Sequence, residues 1–233
     1  MDLSDRSDMP KGDSLEFGRE ALQYLSLLLD KNISAASNLV MAWHRDKVFT
    51  LKDIYFKIFS ASQKEMGRRW ERGLSSVADE HYCTAATQMI MSRLYPMLFD
   101  GTPKDFTFVG VCAEGNHHEL PMRIVTDFFE MEGWDSHYLG SGMPSLEVLD
   151  FLSKNKCHVL GISVSFPVQL PNVIHLISDC RQKFGRELKV MVGGHAFALD
   201  DSLVKKVDAD GFARDAETAV ALGLELISRG LAS

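Results

Sequence analysis

Apolar side chains recur at helical spacing through the first hundred residues. The segment at 14–31 places leucines seven, three and four residues apart, which predicts one buried stripe on a helix: Leu15, Leu22, Leu25 and Leu29. A second helix is predicted to begin near Asn32, whose side chain is a good N-cap. The first quarter of the chain is therefore predicted to be helical.

Two further helices follow with short connections. One is predicted from about Thr50 to Trp70, and the next from about Ser76 to Leu98. Asp79 comes three residues after Ser76, a spacing typical of a capping box. Four helices joined by short links predict a small antiparallel four-helix bundle.

The pattern changes after residue 105. The run FTFVGVCA (106–113) is short, apolar and rich in β-branched residues, as in a fully buried parallel strand. Helical segments then alternate with the strand-like runs DSHYLG, CHVLGISV, LKVMVGG and ADGFA. This alternation predicts an α/β fold with a flavodoxin-like, doubly wound parallel sheet of about five strands. The predicted organisation is a disordered tail (1–13), a helical bundle (14–100) and an α/β domain (105–233).

Composition narrows the class of protein. The net charge of −7 disfavours a protein that binds nucleic acid directly. The sequence contains no run of 18 apolar residues that would predict a membrane span. Its polar, acidic start is unlike a signal peptide, so a cytoplasmic protein is expected. The four cysteines have no CxxC spacing and are expected to be reduced core residues.

The segment EGNHHELP (114–121) holds two adjacent histidines at the carboxyl end of the first predicted strand. Adjacent histidines are more often solvated loop residues than metal ligands. In doubly wound sheets, however, ligands bind outside the carboxyl ends of the strands. The position therefore favours a ligand-binding role for one of the two imidazoles.

This segment resembles the Asp-x-His-x-x-Gly loop of corrinoid-binding α/β domains. Asn116 takes the place of the Asp, His118 matches the His, and Pro121 replaces the Gly. The resemblance implies that His118 is the lower axial ligand of cobalt in a bound cobalamin. It also implies that Asn116 accepts a hydrogen bond from the histidine ring, and that Glu119 and Leu120 contact the cofactor.

Later segments resemble further landmarks of the same family. LGSGMP (139–144) follows the second strand, and the segment DGFARDAETAV resembles the closing strand and helix. Ser163 and Ser165 lie where the family has Ser-x-Leu, and Gly193-Gly194 matches a pair that leaves room for the buried nucleotide base. Two plainer explanations stay open: Ser163 caps the next helix, and the glycine pair is a tight turn after a strand.

The helical half resembles the light-sensing cobalamin domains of CarH-type regulators through a Trp-x9-Glu-His pattern: Trp70, Glu80 and His81. In that group these residues surround the upper adenosyl ligand, although a tryptophan at such a position is also common in a bundle core. CarH-type proteins carry a histidine directly after the tryptophan, whereas this chain has Glu71. The chain departs from the CarH pattern at that position, because a carboxylate does not form the same stable adduct with cobalt.

Together the resemblances imply a cobalamin-binding sensor, responsive to light, that binds adenosylcobalamin or methylcobalamin. No DNA-binding segment resembling MerR precedes the first helix, so the expected partner is a protein such as a transcription regulator. A sensor is favoured over an enzyme, and self-association into a homo-oligomer stays open. The alternatives are a corrinoid methyl carrier of a methyltransferase system and, less favoured, a haem-binding sensor.

Overall fold

The computed structural model describes residues 18–99, 102–200 and 202–231. The predicted tail at 1–13 and Leu15 lie outside the described residues. Two compact units follow one another along the chain, with the first ending at Pro96 and the second beginning at Met97. Within the described ranges, every helix is too short or too polar to cross a membrane.

The first unit is a bundle of helices. Its elements are α1 (Arg19–Leu29), α2 (Ile33–Arg45), α3 (Leu51–Asp53), a π-helical stretch (Ile54–Ser60), α4 (Ala61–Glu71) and α5 (Val77–Leu94). A short 3-10 turn (Tyr95–Met97) follows α5. Because α3, the π-helical stretch and α4 run on without a break, the described part of this unit (18–96) consists of four helical segments, as the sequence predicts.

Polar side chains begin three of these helices. Asn32 accepts a hydrogen bond from the N–H of Ala35 at 3.1 Å. Thr50 with Asp53, and Ser76 with Asp79, form complete capping boxes. Each cap satisfies backbone N–H groups that have no partner within the helix, which explains why these helices start where they do.

The buried face of α1 differs from the predicted leucine stripe. Leu22 and Leu29 are only half-buried, whereas the fully buried positions are Ala21, Tyr24, Leu25 and Leu28. Leucine spacing alone omits two members of this face, the small Ala21 and the large Tyr24. Tyr24 contributes a ring contact with Phe59, with centroids 5.5 Å apart, and its hydroxyl lies 3.0 Å from that of Thr87.

The second unit is a three-layer α/β structure. Its strands are β1 (Thr107–Cys112), β2 (Asp135–Tyr138), β3 (Val159–Ser163), β4 (Lys189–Gly193) and β5 (Gly211–Ala213). All described pairings are parallel and the strand order is β2-β1-β3-β4-β5. This is the flavodoxin-like order, so the predicted fold class is confirmed.

Helices connect the strands and α11 follows the last of them: α6 (Leu120–Met131), α7 (Ser145–Lys154), α8 (Leu170–Phe184), α9 (His195–Leu199), α10 (Leu203–Lys206) and α11 (Ala216–Leu231). β1 and β3 are buried along their whole length. On one face Phe108 stacks on Phe129 of α6, with ring centroids 3.9 Å apart. On the other, Val109 and Val111 join the core formed with α7 and α8. Burial on both faces explains why β1 reads as a continuous apolar run.

Candidate functional site

The candidate site lies at the carboxyl edge of the sheet, between β1 and β3. These strands are neighbours, with Cys112 opposite Ser163. The connection from β1 leads toward β2 on one side and the connection from β3 leads toward β4 on the other, so the strand order reverses between them. Doubly wound folds bind ligands in the crevice at this switch point. The β1–α6 loop (113–119) and the β3–α8 loop (164–169) flank it.

Asn116 organises the first loop. It is fully buried, and its Nδ2 donates to the carbonyl oxygen of Ser163 at 2.9 Å. Its Oδ1 accepts from the backbone N–H of His118 at 3.1 Å and lies 3.3 Å from Nδ1 of the same residue. An Nδ1–H donor at that position leaves the lone pair on Nε2, which is the arrangement that an axial imidazole ligand needs.

His118 and His117 are both exposed at the tip of this loop. The His118 ring meets Phe166 of the second loop edge-on, with centroids 5.4 Å apart and an interplanar angle of 68°. The described structure thus joins His118, but not His117, to the side chains of the switch point. This is the histidine that the sequence pattern selects.

A second layer supports the loop from behind. The Cys112 thiol contacts the His118 carbonyl oxygen at 3.7 Å, and the Tyr138 hydroxyl donates to that of Glu119 at 3.4 Å. Ser141 donates to the Glu119 carboxylate. Burial raises the pKa of the Cys112 thiol to about 11 and raises the pKa of Tyr138 further still. Both groups therefore stay neutral near pH 7.

Leu120 and Ser163 face inward. Leu120, the first residue of α6, is buried, and so is Ser163. The carbonyl oxygen of Ser163 accepts from Ala113 at 2.9 Å as well as from Asn116. Ser165 is half-buried in the loop that follows. The backbone of Ser163 therefore anchors the histidine loop.

Gln169 carries no motif that predicts a role here. It is buried, and its Oε1 accepts from the N–H groups of Ser165 at 3.0 Å and Phe166 at 3.1 Å. Its Nε2 donates to the carbonyl oxygen of Gly115 at 3.1 Å. The available sequence signal is a single amide residue near the start of a helix, which is too common to identify a site.

The glycine pair sits at the end of β4. Gly194 has φ +99°, and a Cβ there would overlap the backbone of Val164. At Gly193 a Cβ would lie 3.1 Å from the carbonyl oxygen of Ala213. The close approach of β4 to the β3–α8 loop thus requires a residue without a side chain at 194. The tight-turn explanation suffices for Gly194.

Large apolar side chains are exposed along the same edge of the sheet. They follow β2, β3 and β4 in the chain: Leu146, Phe166, Val168 and Leu199. Val168 is 81% exposed. Exposed apolar side chains grouped beside a crevice mark a surface that a ligand or partner covers.

The helical unit, taken by itself, presents the other predicted residues at its surface. Trp70 is 50% exposed, so it is not a core residue. Glu80 is half-buried, accepts from the Thr84 hydroxyl at 3.1 Å, and has a carboxylate oxygen 3.7 Å from Nε2 of the exposed His81. Val77, His81 and Met89 are exposed at helical spacing on α5, which gives this unit an apolar face with one imidazole.

Comparison with known proteins identifies the family. Two family models, each described as a B12 binding domain, match residues 106–222 and 22–95. The dimethylamine corrinoid protein of Methanosarcina barkeri is 26% identical over 213 residues, covering 88% of this chain and 98% of that protein. The dimethylamine corrinoid protein 2 of Methanosarcina acetivorans is 26% identical over 216 residues, covering 89% and 96%.

Solved structures show the same fold. The monomethylamine corrinoid protein of Methanosarcina barkeri superposes with a TM-score of 0.76 at 21% identity, covering 88% of this chain and 96% of that one. A cobalamin-binding protein from Desulfitobacterium hafniense gives a TM-score of 0.50 at 20% identity, covering 88% and 98%.

These findings overturn the predicted light-responsive regulator. The relatives that match across the chain are dimethylamine corrinoid proteins, so the prediction of a photoreceptor in signal transduction and transcription regulation is wrong. A transcription regulator as partner and a haem cofactor likewise find no support in these matches. The CarH-type resemblance rests on Trp70, Glu80 and His81, and a spacing of three residues on two helices does not distinguish related groups. The B12 binding domain that matches residues 106–222 alone covers half of the sequence. The chain therefore belongs to the B12-binding domain family.

Proposed function

We propose that this protein is a corrinoid methyl carrier, which binds cobalamin and passes a methyl group between partner methyltransferases. The observation that carries the proposal is the extent of the match to the dimethylamine corrinoid proteins. It covers 88% of this chain and 98% of the Methanosarcina barkeri protein, and so includes both the helical and the α/β unit. A methyl carrier was the alternative that the sequence left open.

The residues at the switch point fit a corrin-bound cobalt. Such a metal has four ring nitrogens as ligands, so the protein needs to supply one axial ligand, and His118 presents an exposed imidazole. Asn116 holds its Nδ1 side and directs Nε2 outward. The apolar side chains at the sheet edge offer a surface for the macrocycle. Bound cobalamin supplies a cobalt centre that accepts and releases a methyl group.

The helical unit contributes further proposed contacts. Trp70, Glu80 and His81 are proposed to contact the cofactor, which the exposure of Trp70 and His81 supports. Glu119, Leu120, Ser163, Ser165 and the Gly193-Gly194 pair are proposed to line its α/β side. We propose methylcobalamin as the loaded form, and 14–100 and 105–233 as the functional domains. The residue after Trp70 is Glu71, so this chain lacks the histidine that CarH-type proteins carry at that position.

The ligand assignment is tested with His118→Ala and the matched control His117→Ala. Both residues are exposed on one loop, but only the His118 ring lies within hydrogen-bond distance of the Asn116 side chain among the described contacts. Methylcobalamin added to the wild type and to His117→Ala is expected to give the spectrum of a histidine-coordinated corrin without its own base. His118→Ala is expected to give a base-off spectrum without histidine. Identical spectra for all three proteins would show that His118 is not the ligand.

The carrier function is tested on reduced holoprotein mixed with a purified methyltransferase and one of three substrates: monomethylamine, dimethylamine or trimethylamine. We expect an amine-dependent return of the methylated corrin spectrum, most clearly with dimethylamine. The His118→Ala holoprotein should respond at least about tenfold more slowly, since loss of one axial ligand alters the metal's electronics. Methylation of free cobalamin at the same rate as the holoprotein would refute a carrier role.

A further inference from the structure

Two buried amide side chains join the loops on either side of the switch point. Asn116, in the β1–α6 loop, donates through Nδ2 to the carbonyl oxygen of Ser163 at 2.9 Å. Gln169, the last residue of the β3–α8 loop, donates through Nε2 to the carbonyl oxygen of Gly115 at 3.1 Å. Each side of the crevice therefore supplies an amide donor to a backbone carbonyl of the other. We call this reciprocal pair of hydrogen bonds the amide staple.

The orientation of both amides follows from their acceptor atoms. Oδ1 of Asn116 receives the N–H of His118, and Oε1 of Gln169 receives the N–H groups of Ser165 and Phe166. Backbone N–H groups only donate, so the oxygens must face them and the NH₂ groups must face the carbonyls. A carboxylate could keep the accepting half of this arrangement. It could not keep the donating half.

The staple acts on the loop that carries the histidine. The segment between β1 and α6 has no regular secondary structure, and Gly115 in it has φ +80° with open space around its α-carbon. Such a segment has many conformations available when nothing ties it down. The contact between Gln169 and Gly115 lies three residues before His118, and the contact between Asn116 and Ser163 lies two residues before it.

We propose that the amide staple positions His118 before any cofactor binds, and that Gln169 is a positioning residue for axial coordination. The consequence for cobalamin rests on the proposed role of His118, whereas the effect on the loop does not. The staple also gives a reason for Asn at 116, where the resembling loops have Asp. A carboxylate there would face the Ser163 carbonyl with no proton to donate.

The first test measures hydrogen exchange in the cofactor-free protein. Gln169→Glu and Asn116→Asp each replace an amide donor with a carboxylate of nearly the same shape. The matched controls are Gln182→Glu and Asn172→Asp, at exposed positions on α8. We expect peptides covering 114–118 to exchange about tenfold faster in both staple variants, because each variant loses one buried hydrogen bond. The exchange rate of the same peptides should be unchanged in both controls.

The Gln169→Glu variant contains its own internal control. Its carboxylate can still accept from Ser165 and Phe166, so exchange at 165–166 should stay at the wild-type rate while 114–118 accelerates. Equal acceleration throughout the α/β unit would indicate general destabilisation and would overturn a positioning role. Unchanged exchange at 114–118 in both folded variants would overturn the staple.

The second test uses methylcobalamin and the absorbance signature of histidine coordination. We expect Gln169→Glu to bind methylcobalamin with a reduced histidine-coordinated fraction, and Gln182→Glu to match the wild type. His118→Ala separates the two proposals. If His118→Ala loses the signature and Gln169→Glu keeps it in full, the staple proposal fails and the ligand assignment stands. If His118→Ala keeps the signature, the ligand assignment fails.

Discussion

Gly194→Ala tests whether the end of β4 is shaped by backbone crowding. Gly194 has φ +99°, and an added Cβ would overlap the Val164 carbonyl oxygen and lie 2.9 Å from the carbonyl carbon and the amide nitrogen of that residue. A non-glycine residue at φ +99° and ψ 176°, a backbone region that is essentially restricted to glycine, costs roughly 1–3 kcal/mol, and a clash with backbone that must shift adds roughly 1–3 kcal/mol. The expected loss in the free energy of unfolding is about 3 kcal/mol.

Gly140→Ala is the matched control. Gly140 has φ +84°, but a Cβ there meets nothing within 4 Å, so the variant carries the conformational cost without the clash. Its expected loss in the free energy of unfolding is about 1 kcal/mol.

The assay is urea unfolding followed by the fluorescence of Trp134, which is buried in the α/β unit. The background carries Trp43→Phe and Trp70→Phe, because the chain has three tryptophans and this leaves Trp134 as the reporter. Losses that agree within about 0.5 kcal/mol for Gly194→Ala and Gly140→Ala would refute the crowding argument. They would mean that the β3–α8 loop moves away freely.

Three further predictions concern stability and reactivity. Hydrogen bonds, the larger from Lys31 and the smaller from Ser76, hold the pKa of Asp79 below its usual range. The ionised Asp79 carboxylate therefore stabilises the folded state above about pH 4, and this stabilisation is lost as pH falls through the folded pKa. Asp79→Asn should therefore reduce the fall in Tm between pH 7 and pH 3, and an unchanged fall would contradict this. Tyr24→Phe removes the buried contact with the Thr87 hydroxyl and should lower the free energy of unfolding by about 1 kcal/mol in urea titrations. An unchanged free energy of unfolding would contradict this prediction. Burial raises the pKa of all four cysteine thiols to about 11 or 12: Cys83, Cys112, Cys157 and Cys180. A disulfide reagent at pH 8 should therefore label these thiols only in urea. Fast labelling of the native protein would count against this prediction.

The local sequence pattern predicts the elements well because each depends on neighbours in the chain. Asn32 and Ser76 cap the helices that their spacing indicates. Most of the apolar run at 106–113 becomes the buried strand β1 (Thr107–Cys112), since a strand covered on both faces accommodates an uninterrupted apolar run. The leucine stripe of α1 is displaced because burial depends on which neighbours pack there, and the pattern of leucines does not contain that information.

The function was harder to predict for a related reason. Trp70, Glu80 and His81 form a recognisable spacing, but their placement on the helical unit, with Trp70 and His81 exposed and Glu80 half-buried, is compatible with more than one B12-binding group. Similarity spread over 88% of the chain distinguishes those groups, and it supports a methyl carrier instead of a light sensor.

By itself, the sequence determined the fold class, the four helices and the parallel strands, and it predicts His118 as the candidate ligand, because helical period, continuous apolar runs and a strand-end position are local properties. The tertiary structure alone decided what surrounds that histidine. Gln169 lies 51 residues beyond His118 in the chain, yet it is bonded to Gly115 of the histidine loop. Asn116 reaches β3 in the same way. Such contacts depend on which strands become neighbours in the sheet, and no spacing along the chain expresses that.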